Sequence, residues 1–315
     1  RALLFEGRYP FRTNVTDAIL SVDLANSQVS PYESTTPVIL REGGYQSALF
    51  GKFHLTGSNV SETAEDNNPL GYTAMHQLGW NFFKGWQEGA PFPIDTTAGG
   101  VAADGVSYAC GFVTNSRSEN GSDAGACYFT NKHCEEILAD VEAPTPGRTC
   151  LELGGVFVPD AVCDATGTSD DVDFTLQNGY YVGDLLVNQP DGSYELYPPE
   201  DESSAARGYR SVLESDWAID WIKSQSSEVP WMATVSFSSA HSPFQQPPTS
   251  LLGPGSVPTG DFDCAEGKDQ RVLSNQMIES MDNEIGRVLV ETGIATINNG
   301  NLELTEEHAN TMIVV

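Results

Sequence analysis

In the stretch GGYQSALFGKFHLTGS, Gly43 to Ser58, a lysine and a histidine stand two residues apart at the end of an apolar run. Residues 45–51 read as a strand, and strand side chains alternate with period two, so Lys52 and His54 project to one side just beyond its C-terminal end. Ligands of open α/β sheets bind at that edge. Standing alone, such a pair is more often solvated or locally hydrogen-bonded than functional. A phosphate-cradling loop fails on spacing, because six residues rather than four separate Gly44 from Gly51, and Phe53 replaces the hydroxyl residue that would hold magnesium. His241, in SFSSAHSPF, follows a second strand, 231–237, and so also lies at a strand exit. His76, His133 and His308 have no such setting. The sequence contains no nucleophile elbow, no H-E-x-x-H and no dinucleotide fingerprint.

The elements that must position these residues are legible in outline. RALLFEGR reads as an amphipathic helix with Gly7 as its C-cap. SPYESTTPVILREGG reads as a second helix, with Ser and Thr as candidate caps, Pro37 in the first turn and Gly43-Gly44 as the stop. Helix, glycine stop, strand is the grammar of an α/β sheet covered by helices. Later, ARGYRSVLESDWAIDWIKSQ places Tyr209, Val212, Leu213, Asp216, Trp217 and Trp221 near one helical stripe. RVLSNQMIESMDNEIGRVLVETG carries Leu273, Met277, Met281, Ile285 and Val288 at helical spacing, with Gly293 to end it. Met312 to Val315 read as a final buried strand.

Between about 56 and 205 this regularity gives way to Gly, Asn, Asp, Thr and Cys. Residues 101–204 hold 19 acidic and three basic side chains, a net of −16 out of −29 for all 315 residues. Within it, Pro190-Asp191-Gly192 signals a hairpin. Six cysteines (Cys110, Cys127, Cys134, Cys150, Cys163 and Cys264) without a C-x-x-C pair favour disulfides and an oxidising compartment, with connectivity open. Sequons at Asn14, Asn59 and Asn120 agree with secretion. The strong acidity argues against nucleic acid or an anionic membrane surface as a partner, and no apolar run approaches the roughly 18 residues of a membrane span. The chain opens on Arg1 with a helix already under way and stops on an apolar strand, so a fragment of a longer protein is expected.

Together the segments resemble the sulfatase family of the alkaline-phosphatase superfamily. Arg1-Ala2-Leu3-Leu4 with Gly7-Arg8-Tyr9-Pro10 is similar to the continuation of its signature, Cys or Ser-x-Pro-Ser-Arg-x-x-Leu-x-Thr-Gly-Arg, whose first residue becomes formylglycine. On that match Arg1 is the signature arginine, the nucleophile lies four residues before it, outside this chain, and Glu6 replaces the usual threonine. TTPVILREGGYQSALFGKFHL is similar to the family segment ending Gly-Tyr-x-Thr-x-x-x-Gly-Lys-Trp-His-Leu, with Lys52 and His54 on the sulfate-contacting lysine and catalytic histidine. NPLGYTAMHQLGWNFFKG resembles the segment that follows, His241 matches the His-x-Pro histidine, and MIESMDNEIGRVL matches the helix before the last sheet strand. The resemblance covers roughly 1–90 and 206–315.

It implies a mixed, mostly parallel α/β sheet sandwiched by helices, alkaline-phosphatase-like. Residues 1–315 would be part of one catalytic domain truncated at both ends, and 101–204 an acidic, Cys-rich irregular insertion within it. It also implies hydrolysis of a sulfate ester, on a small molecule or carbohydrate, by a formylglycine nucleophile with Ca²⁺ or Mg²⁺. The Asp-Asn metal ligands would follow Val315, and 1–315 alone would be inactive. Arg1, Lys52, His54 and His241 take the catalytic positions, with Lys52 and His241 contacting substrate. A secreted, periplasmic or lysosome-like location is implied. Three alternatives stay open: a phosphodiesterase or phosphonate monoester hydrolase of the same superfamily, a catalytically silent sulfatase-like extracellular binding protein, and an interaction module working through 101–204.

Overall fold

A computed structural model describes residues 1–13, 15–16, 29–56, 71–87, 124–129, 133–138, 146, 149–150, 153, 156–159, 162–163, 180–181, 183–198, 208–242, 244–253, 256 and 267–315. Cys110, Cys264 and the three sequon asparagines lie outside these residues. Five strands make the main sheet: β1 (Gln46–Lys52), β2 (Phe82–Trp86), β6 (Leu185–Asn188), β7 (Tyr194–Tyr197) and β8 (Trp231–Ser236), in the order β7-β6-β2-β1-β8. β1 pairs parallel with β2 and with β8, while β6 runs antiparallel to β2 and β7 antiparallel to β6. Four of the five therefore point one way, which makes the sheet mixed and mostly parallel.

Helices cover both faces, and the alternation along β1 decides which residue meets which. Leu49 and Phe53 pack with Phe83 and Leu186 against Phe5 of α1 (Ala2–Glu6) and Met75 of α4 (Ala74–Gln77). Ala48 and Phe50 face the other way, onto Trp217 and Ala218 of α5 (Arg210–Lys223). Behind α5 lies α6 (Gly267–Glu291), joined to it through Ile219, Ile222 and Val288 and by Arg287, which pairs with Asp216 at 2.7 Å. Large apolar side chains buried on both faces are the main favourable term in holding such a sandwich together, each worth roughly 2 kcal/mol.

The ends of these elements follow local chemistry. α1 stops at Gly7, whose φ of 64° is open to glycine and whose N–H donates to the Leu3 carbonyl at 3.0 Å. α2 (Pro10–Thr13) follows at once. α3 (Thr36–Glu42) is capped by the Thr35 hydroxyl, which accepts from the Val38 N–H, and has proline in its first turn. The β6–β7 hairpin turns at Pro190-Asp191-Gly192, with Asp191 accepting from the Ser193 N–H at 2.9 Å.

The acidic stretch holds two kinds of structure. β3 (Ala124–Tyr128), β4 (Cys134–Leu138) and β5 (Val156–Pro159) form a separate antiparallel sheet in the order β4-β3-β5. Disulfides Cys127–Cys150 and Cys134–Cys163 brace it, and among the described residues no cysteine is free. Closing loops of 23 and 29 residues stabilises each by roughly 3 kcal/mol. Its last two strands, β6 and β7, belong to the main sheet.

One expectation needs correction. Met312 to Val315 form no strand and are largely exposed. Among the described residues they pair with no strand and instead border an apolar cleft beside β8, with Ile222, Val235, Ile285 and Val288 also lining it. Apolar residues make a strand only where a partner supplies the ladder. Conversely, β9 (Ala295–Asn298) and β10 (Asn301–Leu304) form an unexpected hairpin around Asn299-Gly300, both at positive φ as a tight hairpin turn requires.

Candidate functional site

The C-terminal ends of β1 and β8 lie side by side, with Gly51 opposite Ser236, and this juncture gathers the charged residues. The backbones approach too closely there for side chains. A Cβ on Gly51, at φ 87°, would sit 2.4 Å from the Ser236 carbonyl oxygen, and one on Gly85 would sit 2.0 Å from the Gly51 oxygen. Both glycines are sterically required.

Lys52, the last residue of β1, is 8% exposed. Burial pushes its ammonium down to about 8, helped by the positive charges of Arg1 and Arg210 and opposed by Glu214. Arg1, at the N-terminal edge of α1, donates from Nε to Ser236 Oγ at 3.0 Å. Burial lowers its pKa as well, with Glu214 pulling the other way. Arg210, the first residue of α5, lies with its guanidinium 3.8 Å from the Trp86 ring centroid and 5.4 Å from that of Tyr181. It is held down to about 10, chiefly by burial. Three cations, from positions 1, 52 and 210, thus converge on one carboxylate, Glu214, which burial pushes up to about 7 against the hydrogen bonds from Ser238 and the charge of Arg210.

Glu214 also organises the loop that carries His241. Its carboxylate accepts from the Ser238 N–H at 3.1 and 3.2 Å and from the Ser238 hydroxyl at 2.7 Å. The His241 N–H then donates to the Ser238 carbonyl at 3.2 Å, and the Tyr181 hydroxyl donates to the His241 carbonyl at 2.8 Å. The His241 ring is exposed, with Nδ1 against the Ser242 carbonyl oxygen.

His54 is half-buried two residues past β1, its N–H donating to the Gln87 carbonyl at 3.0 Å. Its φ of 54° places it in the left-handed region, uncommon for a residue with a side chain. With Gly51 also at positive φ, simple strand alternation does not carry from Lys52 to His54. Glu6 is buried in α1 with neither carboxylate oxygen hydrogen-bonded. Its pKa is raised by burial and by Glu33.

Arg1 and Lys52 are therefore brought together electrostatically, and the His241 loop is fastened beside them. Arg210, Glu214, Ser238 and Tyr181 complete the cluster and did not stand out in the sequence. Their one signal was an arginine and a glutamate four apart in the first turns of an otherwise amphipathic helix, the spacing that puts two side chains on one face. The buried stripe of α5 runs through Arg210, Glu214, Trp217 and Ala218, whereas Asp216, expected on it, faces Arg287. Among the described residues no three His, Cys, Asp or Glu side chains come together as a metal site. Glu214 is engaged by Ser238 and faced by cations, so it does not suit a divalent cation.

No family model matches the chain, and no curated protein does. Solved structures similar to it include BT33494S-sulf, from work on glycosaminoglycan metabolism by Bacteroides thetaiotaomicron (TM-score 0.47, 12% identity, covering 92% of this chain and 44% of that one). Ps i-CgsB is similar with a TM-score of 0.44 at 14% identity over 93% of this chain and 44% of the other. The PsFucS1 sulfatase from Pseudoalteromonas sp. scores 0.42 at 17% identity over 93% and 41%. The chain spans less than half the length of each.

Proposed function

We propose that the whole protein is a sulfuric ester hydrolase, and that this chain supplies the cationic side of its active site. The observation that carries the reading is the convergence of Arg1, Lys52 and Arg210 at the C-terminal ends of β1 and β8 in a protein of net charge −29. A sulfate group approaching so acidic a chain meets repulsion everywhere except at a compact local excess of positive charge. The short motifs around Arg1, Lys52, His54 and His241, in the order that the sulfatase family shows, support the same reading.

Lys52 is suited to hold a sulfate oxygen and to stabilise charge that develops on it, because a buried ammonium acts through little intervening water. Arg1 adds a second positive charge on the same side. His241 stands on an exposed loop where an imidazole can contact sulfate or protonate the departing alcohol oxygen, and His54 is the second imidazole available for proton movement. The nucleophile four residues before Arg1, and a Ca²⁺ or Mg²⁺ held by carboxylates other than Glu214, belong to the same proposal. So does an oxidising compartment, whether secreted, periplasmic or lysosome-like, with which the two disulfides agree.

The test is a panel of sulfated sugars, aryl sulfates and phosphodiesters offered to the whole protein. Release of inorganic sulfate from at least one sulfate ester is expected. Turnover confined to phosphodiesters, or none at all, contradicts the reading.

A further inference from the structure

Glu214 is fully buried, yet it is surrounded by the groups that a substrate anion would meet. It contacts three elements at once. It belongs to α5, it takes three hydrogen bonds from Ser238 at the exit of β8, and its carboxyl carbon lies 3.1 Å from where a Cβ of Gly51 would stand. The glycine at 51 thus leaves room for this carboxylate beside the end of β1, immediately before Lys52.

We propose that Glu214 is a positioning residue for this site, its carboxylate fastening the β8 exit to the end of β1 and holding Lys52 in its charged form. The proposal rests on the reading that Lys52 meets the substrate anion. A buried charge-assisted hydrogen bond to Ser238 fixes the loop leading to His241 more firmly than a neutral contact does. Among the described residues, the charged and titratable groups facing Glu214 are Arg1, Lys52, Arg210, Tyr181 and Tyr209. Among them Glu214 is the sole carboxylate, and its charge opposes the burial that drives Lys52 toward neutrality. Since Glu214 itself titrates at about 7 and Lys52 at about 8, the opposition operates above about pH 7, where Glu214 is ionised. Below that pH Glu214 is protonated and the influence fades.

The experiment compares wild type, Glu214→Gln and Glu214→Ala in the whole protein, with 4-nitrophenyl sulfate as substrate. The titration of Lys52 is read separately by NMR of ¹³C-methylated lysines, the Lys52 signal being the one that Lys52→Arg removes. Glutamine keeps the reach and an acceptor for Ser238 but has no charge. The alkaline limb of kcat/KM and the Lys52 titration should both move to lower pH in Glu214→Gln. Activity should fall roughly five-fold at pH 8 and stay within about two-fold of wild type at pH 6, as expected for a displacement of about one pH unit. Glu214→Ala, which also strips Ser238 of its acceptor, should lose a further ~10-fold in kcat. A purely structural carboxylate would lower activity without moving the limb, and superimposable wild-type and Glu214→Gln titrations of Lys52 overturn the proposal. If wild type leaves 4-nitrophenyl sulfate intact, the sulfate-ester reading of this substrate fails while the NMR titration still decides the role of Glu214: displacement upholds it, and none refutes it.

Discussion

Lys52 and Glu6 are charged side chains held where charge is unfavourable. Burial holds Lys52 at about 8, below the 10.5 of a free lysine. The unfolded chain therefore binds this proton more tightly than the folded one, which destabilises the fold at every pH below about 8. The penalty is relieved as pH rises from there toward 10.5. Lys52→Met should raise stability at pH 7 by roughly 1–3 kcal/mol in urea unfolding, with the gain fading at alkaline pH. For Glu6 the shift is upward, so its destabilisation is present at neutral pH and disappears as pH falls through the ordinary carboxylate range. Glu6→Gln should stabilise the protein at pH 7 by about 1 kcal/mol and have no effect near pH 3, as thermal melts at the two values would show. The sequence made Lys52, His54 and His241 visible because short motifs surround them. It concealed Arg210 and Glu214, because opposite charges four apart on a helix are ordinarily solvated and only the fold reveals that these two are buried.

Among the elements, the sheet is fixed where β1 meets its neighbours through glycine. Gly51 and Gly85 are register partners, and a methyl group on Gly85 would stand 2.0 Å from the Gly51 oxygen. Gly85→Ala should therefore separate β1 from β2 and lower stability by at least about 3 kcal/mol, measured as the urea midpoint of the purified variant. α1, α3, β1, α5, β8 and α6 were legible because each combines a periodic apolar face with a recognisable stop. The joining of β6 and β7 to β2 was not, since pairing between strands a hundred residues apart leaves no local trace. The polar stripe of α5 was missed for a related reason. Hydrophobic periodicity finds faces that meet apolar core, and this face meets strand ends where charge is gathered. Residues 312–315 show the converse, an apolar run without a partner strand among the described residues.

For the whole molecule, acidity and function pull in opposite directions. A net charge of −29 repels anions at a distance, whereas Arg1, Lys52 and Arg210 gather positive charge at one sheet edge. The two disulfides brace an antiparallel sheet separate from the one that builds the site, whereas β6, β7 and Tyr181 of the same acidic stretch join the main sheet and the cluster. The central claim is that this cluster receives a sulfate ester through Lys52. It is tested most directly by kcat/KM of the whole protein for sulfate release from 4-nitrophenyl sulfate at pH 7, wild type against Lys52→Met. The account predicts turnover by wild type and a loss of roughly 10²–10³-fold in a variant that is at least as stable. Equal turnover by the two proteins, or none by wild type on any sulfate ester, would contradict it.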